Sequence, residues 1–193
     1  MDELIGYIVK KISKTNPQFS DLELKKMKYG LLCIFDEMTK IIPYFIIFSL
    51  FSLQKYYIVT FIFFCPIRLF SGGYHAKTYW GCFFISFIIL LGIIIMSKYI
   101  SFNIGIMLAS LIVSLILICI FAPVDNVNKR IKSKERRKKL KYISIGITLL
   151  LSVLCYFIPP KFLSTAVLSI ITAVIMMMIG KINNGGTSNN QES

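Results

Sequence analysis

Acidic charge is what this chain has least of. Only 9 of its 193 residues are Asp or Glu, and charged residues of both signs make up 16%. Soluble domains carry about 25%. Together with a 56% hydrophobic composition, this excludes a soluble globular enzyme and a disordered regulator. Cysteine is present but unorganised. Cys33, Cys65, Cys82, Cys119 and Cys155 are scattered and odd in number, which excludes a disulfide framework and any metal-ligand spacing, so thiols are expected. There is one His and one Trp. A single imidazole argues against zinc, which takes three or four protein ligands, and no metal or other cofactor is expected. No glycine-rich phosphate loop is present, so an ATP-driven pump is excluded unless a partner supplies the motor. The first residues include no uninterrupted apolar core with a small-residue cleavage site, so no signal peptide is expected and the chain inserts by its own spans.

What is there is a series of long apolar runs between basic segments. Residues 1–28 read as an amphipathic N-terminal helical region. Leu4, Ile5, Ile8, Val9 and Ile12 recur at helical spacing beside Lys10, Lys11 and Lys14, a pattern that suits a membrane surface. Asn16-Pro17 breaks it, and Ser20-Asp21-Leu22-Glu23 opens a second helix as a capping box. Lys25, Lys26 and Lys28 add attraction to anionic lipid, ~1 kcal/mol per basic residue. Residues 29–180 form a single transmembrane helical domain. Its apolar segments begin near Gly30, Tyr56, Tyr79, Phe102, Tyr142 and Phe162. The fold expected is an all-α integral membrane protein with about six transmembrane helices. The second segment is short for ~30 Å of hydrocarbon and needs Arg68 to Phe70 to lengthen it; otherwise it is tilted or partly re-entrant. Residues 181–193 read as a disordered polar tail.

Orientation follows from the basic residues. With a cytoplasmic N-terminus and six crossings, all of the 22 Lys and Arg except Lys55, Lys98 and Lys161 lie on the cytoplasmic side. The positive-inside rule therefore puts both termini there, in the cell membrane, with the 68–82 and 123–141 loops on the same face. The charge would also suit a nucleic acid, but the hydropathy does not.

The stretch from Arg68 to Cys82 holds the chemistry. It contains Arg68, Gly72-Gly73, the lone His75, Lys77, the lone Trp80 and Cys82. A cysteine nucleophile needs a base within hydrogen-bond reach. Residues seven apart on one helix lie roughly 10 Å apart along the axis, so His75 and Cys82 pair only if the glycines fold the His loop over the helix start. Cys82 falls in the first turns of the third segment, where the helix dipole favours a thiolate and unbonded N–H groups suit an oxyanion. Taken by spacing alone, a lipid-facing Cys82 and an interfacial His75 are the commoner outcome.

The wording of the motif changes that balance. Arg68-x3-Gly-Gly73-x-His75-x6-Cys82, followed by Ala122-Pro-x-Asp125-x-x-Asn128-Lys129, resembles the accessory gene regulator protein B (AgrB-like) family, and the likeness covers nearly the whole chain. The resemblance implies a membrane cysteine endopeptidase of quorum sensing. Such an enzyme cleaves the C-terminal part of an AgrD-type propeptide through an acyl-enzyme thioester and promotes thiolactone closure. It implies Cys82 as nucleophile, His75 as base, Arg68 and Gly73 as positions needed for activity, and a homodimer. Charge adds a substrate-docking role for Arg68, Lys77 and the nine basic residues from Lys129 to Lys141, facing an acidic propeptide tail. Asp36, Glu37 and Asp125 stay open as third catalytic groups. The reading from another class is a non-enzymatic transporter or peptide-export partner, which would not need Cys82.

Overall fold

The structure, a computed structural model, describes residues 2–15, 19–74, 78–124 and 133–188. Among these, every regular element is helical. The breaking residues Asn16 and Pro17, the site residues His75 and Lys77, the stretch Asp125–Lys132 and the last five residues lie outside the described residues.

The N-terminal unit, Met1–Phe51, holds α1 (Asp2–Thr15) and α2 (Asp21–Leu50). In α1, Ile5 and Val9, one turn apart, are buried while Lys10 and Lys11 are exposed, and the helix packs on α2. Helix α2 starts behind Ser20, whose carbonyl accepts from the Leu24 amide at 3.1 Å. It then runs without interruption through the first apolar segment. Gly30 costs a helix only about 1 kcal/mol relative to alanine, and Pro43 is accommodated inside the helix.

The second unit, Ser52–Ser193, carries α3 (Gln54–Ser71), α4 (Tyr79–Tyr99), α5 (Ile104–Phe121), α6 (Lys134–Leu154), a short 3₁₀ turn (Cys155–Phe157) and α7 (Pro160–Ser188). Helix α7 is the hub. It packs against α3, α4 and α5, while α3 also meets α4 and α6. The most apolar stretch of α7 is 61% buried, against 22% for each of α4, α5 and α6. Its residues 164–170 are buried all round. The small side chains Ser164, Thr165, Ala166 and Ser169 among them allow neighbouring backbones to approach. Thr165 donates to Ser97 of α4 at 3.0 Å, and Ser97 donates in turn to the Ile94 carbonyl at 2.9 Å.

Among the described residues, four helices are long and apolar enough to cross a membrane: Tyr79–Tyr99, Ile104–Phe121, Lys134–Phe157 and Pro160–Asn183. This is fewer than the six expected. The first expected span is represented by a shorter apolar stretch, Met38–Leu50. The second, α3, does extend through Arg68–Phe70 as its length required, but Gln54, Lys55 and Arg68 dilute its apolar character. Helix α6 starts at Lys134, eight residues before the apolar segment it carries, because Lys and Arg are good helix formers and Ser133 caps the first turn by accepting from the Arg136 amide. Helix α7 continues past Gly180 to Ser188, into the polar residues read from sequence as a tail.

The bundle of the second unit has two chemically distinct ends. At one, Tyr56 packs edge-on against Phe162 with centroids 5.0 Å apart, and the ammonium groups of Lys98 and Lys161 lie 5.6 and 6.0 Å from the Tyr56 ring centre. At the other, α3 ends at Arg68–Ser71, α4 and α6 begin, and Lys181 sits 4.2 Å over the Phe121 ring.

Candidate active site

The second end is built around the turn that follows α3. Gly72 stops the helix with φ 76° and ψ −164°, while its amide still reaches the Arg68 carbonyl at 3.1 Å. That backbone region is open essentially to glycine alone. Gly73 follows with φ 150°. The turn is held from three directions. From within, the Arg68 guanidinium donates to the Tyr74 carbonyl, lies 5.8 Å from the Phe64 ring centre and flanks Gly73, whose missing Cβ would come 3.4 Å from Nη1. From α7, the Met176 carbonyl accepts the Tyr74 amide at 3.1 Å. From the segment after α5, which leaves that helix through a cis Ala122–Pro123 bond, the Val124 amide donates to the Ser71 carbonyl at 2.8 Å. Ser71 and Gly73 are buried.

Cys82 is the fourth residue of α4 and is half-buried. The local sequence dictates its register. Thr78 adopts an extended conformation and caps the helix, its hydroxyl accepting from the Gly81 amide at 3.1 Å. Its carbonyl then accepts from the Cys82 amide at 3.0 Å. These two bonds narrow the oxyanion expectation, since the amides of Gly81 and Cys82 are already engaged by Thr78. Beside Cys82, Tyr79, Trp80, Phe83 and Phe84 form an edge-to-face and stacked cluster with neighbouring centroids 5.6 to 6.5 Å apart. Trp80 and Phe84 are exposed. That suits the rim of a bilayer, where amphipathic rings concentrate.

Of the sequence-predicted residues, Arg68 and Gly73 are brought into one turn, and Cys82 stands at the start of the next helix, at the same end of the bundle. His75 and Lys77 occupy the connection between them, outside the described residues. The guanidinium predicted to grip a substrate carboxylate is engaged with its own turn at Tyr74. The side chains of Asp36 and Glu37 and the whole of Asp125 are likewise outside the described residues. Cys65, Cys82, Cys119 and Cys155 are all thiols, as their scatter predicts. Of the basic loop, residues 134–139 are exposed on the first turns of α6, and Lys141 is half-buried. Sequence reasoning missed the cap that Thr78 forms and the contacts that Met176 and Gly180 make with the turn. Thr78 carried a usable signal, a capping residue just ahead of an apolar run. The two α7 residues carried none, being apolar or small within an apolar helix.

Comparison with known proteins places the chain in one family. A protein of Clostridium beijerinckii named AgrB-like is 27% identical over 181 residues, covering 91% of this chain and 89% of its own. An AgrB-like protein of Clostridium acetobutylicum is 28% identical, covering 86% of this chain and 79% of its own. The accessory gene regulator protein B of a bovine Staphylococcus aureus strain is 28% identical, with 92% of each chain covered. No solved structure matches. The family model described as Accessory gene regulator B matches residues 2–180, nearly the entire length described above. On that match the chain belongs to the accessory gene regulator B family.

Proposed function

We propose that this chain is a membrane-embedded cysteine endopeptidase that cleaves an AgrD-type propeptide of agr quorum sensing on its C-terminal side and promotes thiolactone closure. The observation that carries the reading is the position of Cys82. It is the fourth residue of a capped apolar helix, directly after the connection that bears the lone His75, at the same end of the bundle as the turn made by Arg68 and Gly73. Four helices of spanning length and family membership support it. In this reading α3 and the Met38–Leu50 stretch complete six crossings. The Arg68 end faces the cytoplasm, and the protein works as a homodimer in an anionic membrane.

The chemistry runs through two acyl transfers. His75 takes the thiol proton and the Cys82 Sγ attacks a propeptide carbonyl carbon. The C–N bond breaks, and His75 returns the proton to the departing amine, so the acidic C-terminal fragment leaves with a new amino terminus. The remaining acyl group is a thioester on Cys82. A cysteine thiol within the peptide then attacks that carbonyl, forms the thiolactone and restores the Cys82 thiol. The second step exchanges one thioester for another and is close to thermoneutral. The first makes a thioester from an amide and is uphill, so loss of the fragment pulls the reaction forward. Exclusion of water at a membrane boundary protects the acyl group from hydrolysis. The exposed basic turns at the start of α6 dock the acidic tail.

The test is coexpression with a candidate AgrD-like propeptide and mass analysis of the products for wild type, Cys82→Ser and Cys82→Ala. Loss of cleavage in both variants, with protein still in the membrane, supports the reading. Full processing by Cys82→Ala overturns it and leaves a non-enzymatic export partner.

A further inference from the structure

We propose that Gly180, on α7, is a positioning residue for this reaction: its missing side chain opens the seat in which the Gly73–Tyr74 backbone lies. A Cβ built at Gly180 would stand 2.6 Å from the Gly73 carbonyl carbon, 2.6 Å from the Tyr74 nitrogen and 2.9 Å from the Gly73 Cα. All three are backbone atoms, which cannot swing aside as a side chain can. The contact sets this glycine apart. At Gly92, Gly105 and Gly146, also helical, an added Cβ would meet nothing within 4 Å. Gly180 is buried, and one turn earlier on the same face the Met176 carbonyl holds the Tyr74 amide at 3.1 Å. The opposite side of the turn is closed as well. A Cβ at Gly72 would come 2.2 Å from the Val124 carbonyl oxygen. The turn is thus clasped between α7 and the segment after α5, with the Arg68–Tyr74 bond inside it.

Tyr74 is bonded covalently to His75. Any shift of Tyr74 is therefore handed to the residue that the peptidase reading makes the general base, and the inference rests on that reading for its activity arm. Helix propensity favours alanine over glycine in the body of a helix, so a harmful Gly180→Ala cannot be an effect of α7 stability alone.

The experiment uses the full-length chain in membranes with Cys33, Cys65, Cys119 and Cys155 replaced by alanine, so that Cys82 is the one thiol. Four quantities are measured: kcat and KM for propeptide cleavage, the rate of Cys82 alkylation by iodoacetamide at neutral pH, and hydrogen exchange at the Tyr74 amide of the parent protein. For Gly180→Ala, kcat is expected to fall by roughly 100-fold, the cost of about 1 Å of misplacement. KM stays unchanged, and alkylation slows as Cys82 loses its base. Gly92→Ala and Gly146→Ala retain parent values in all respects. The Tyr74 amide exchanges slowly. Parent rates of cleavage and alkylation in Gly180→Ala overturn the inference. So does exchange at Tyr74 as fast as in an open loop, a result that stands even if Gly180→Ala fails to fold. If the parent cleaves no propeptide, the peptidase reading fails, while alkylation and exchange still judge the seat.

Discussion

The backbone amide of Val124 donates to the carbonyl of Ser71 at 2.8 Å, and this bond joins the two sequence blocks that carry the family resemblance. One block ends α3 and turns toward His75; the other leaves α5 toward the basic loop. Gly72 completes the junction, because its lack of a Cβ is what lets the Val124 carbonyl lie against it.

Gly72→Ala therefore faces two penalties at once. Its φ of 76° with ψ of −164° costs a residue bearing a Cβ about 1–3 kcal/mol, and the methyl group overlaps the Val124 carbonyl. The expected outcome is a lower unfolding temperature in detergent together with loss of propeptide cleavage. Parent-like stability with parent-like cleavage would show that the junction is not rigid.

Arg68 separates two roles for one guanidinium. As a clamp it holds the Tyr74 carbonyl beside Phe64. As a substrate ligand it would instead grip the acidic tail. Arg68→Lys keeps the charge but loses the planar fork. If the clamp dominates, kcat falls at least tenfold for propeptides with and without acidic tails alike. A loss confined to KM, and only for the acidic substrate, would return Arg68 to the docking role.

Thr165→Val removes the hydroxyl that bridges α7 to Ser97 while keeping its volume. Ser97 retains its own bond to the Ile94 carbonyl, so no polar group is stranded in the core. Hydrogen bonds between membrane helices are worth about 0.6 kcal/mol on average, so only a small drop in unfolding temperature is expected, with cleavage unchanged. A collapse of activity would mean that register between α4 and α7 matters to the site far more than this bond implies.

The sequence was most readable where physics acts locally. Helices α4 to α7 stand out as continuous apolar runs. Cys82 could be placed in the first turns of α4, and the Thr78 cap explains its register. Helix α3 ends where Gly72-Gly73 begin. The breaks were harder to judge. The start of the first apolar segment near Gly30 suggested a piece separate from the amphipathic region, yet α2 runs through Gly30, and through Pro43, as one helix of 30 residues. The start of α6 was read by apolarity and so placed at Tyr142, although helix formation needs only Lys134–Lys141 and the Ser133 cap. What sequence could not supply was pairing between distant helices. A helix that is apolar all round carries no stripe that names its partner face. The approach of Gly180 to Gly73, and of Met176 to Tyr74, therefore has no periodic signature.

The last prediction concerns which end of the bundle faces the cytoplasm. Lys98 and Lys161 gather around Tyr56 at one end, while Arg68, Lys181 and the basic turns of α6 lie at the other. Because basic residues concentrate on the cytoplasmic side, the Arg68 end should be inside and Tyr99, which is 85% exposed, outside. In a background free of native cysteines, a membrane-impermeant maleimide applied to intact cells is expected to label Tyr99→Cys. It should label Lys134→Cys only after permeabilisation. The reverse pattern would invert the topology and put the candidate nucleophile on the outer face, away from a propeptide made in the cytoplasm. Labelling of both in intact cells would mean that α5, the helix between these two positions, does not carry the chain across.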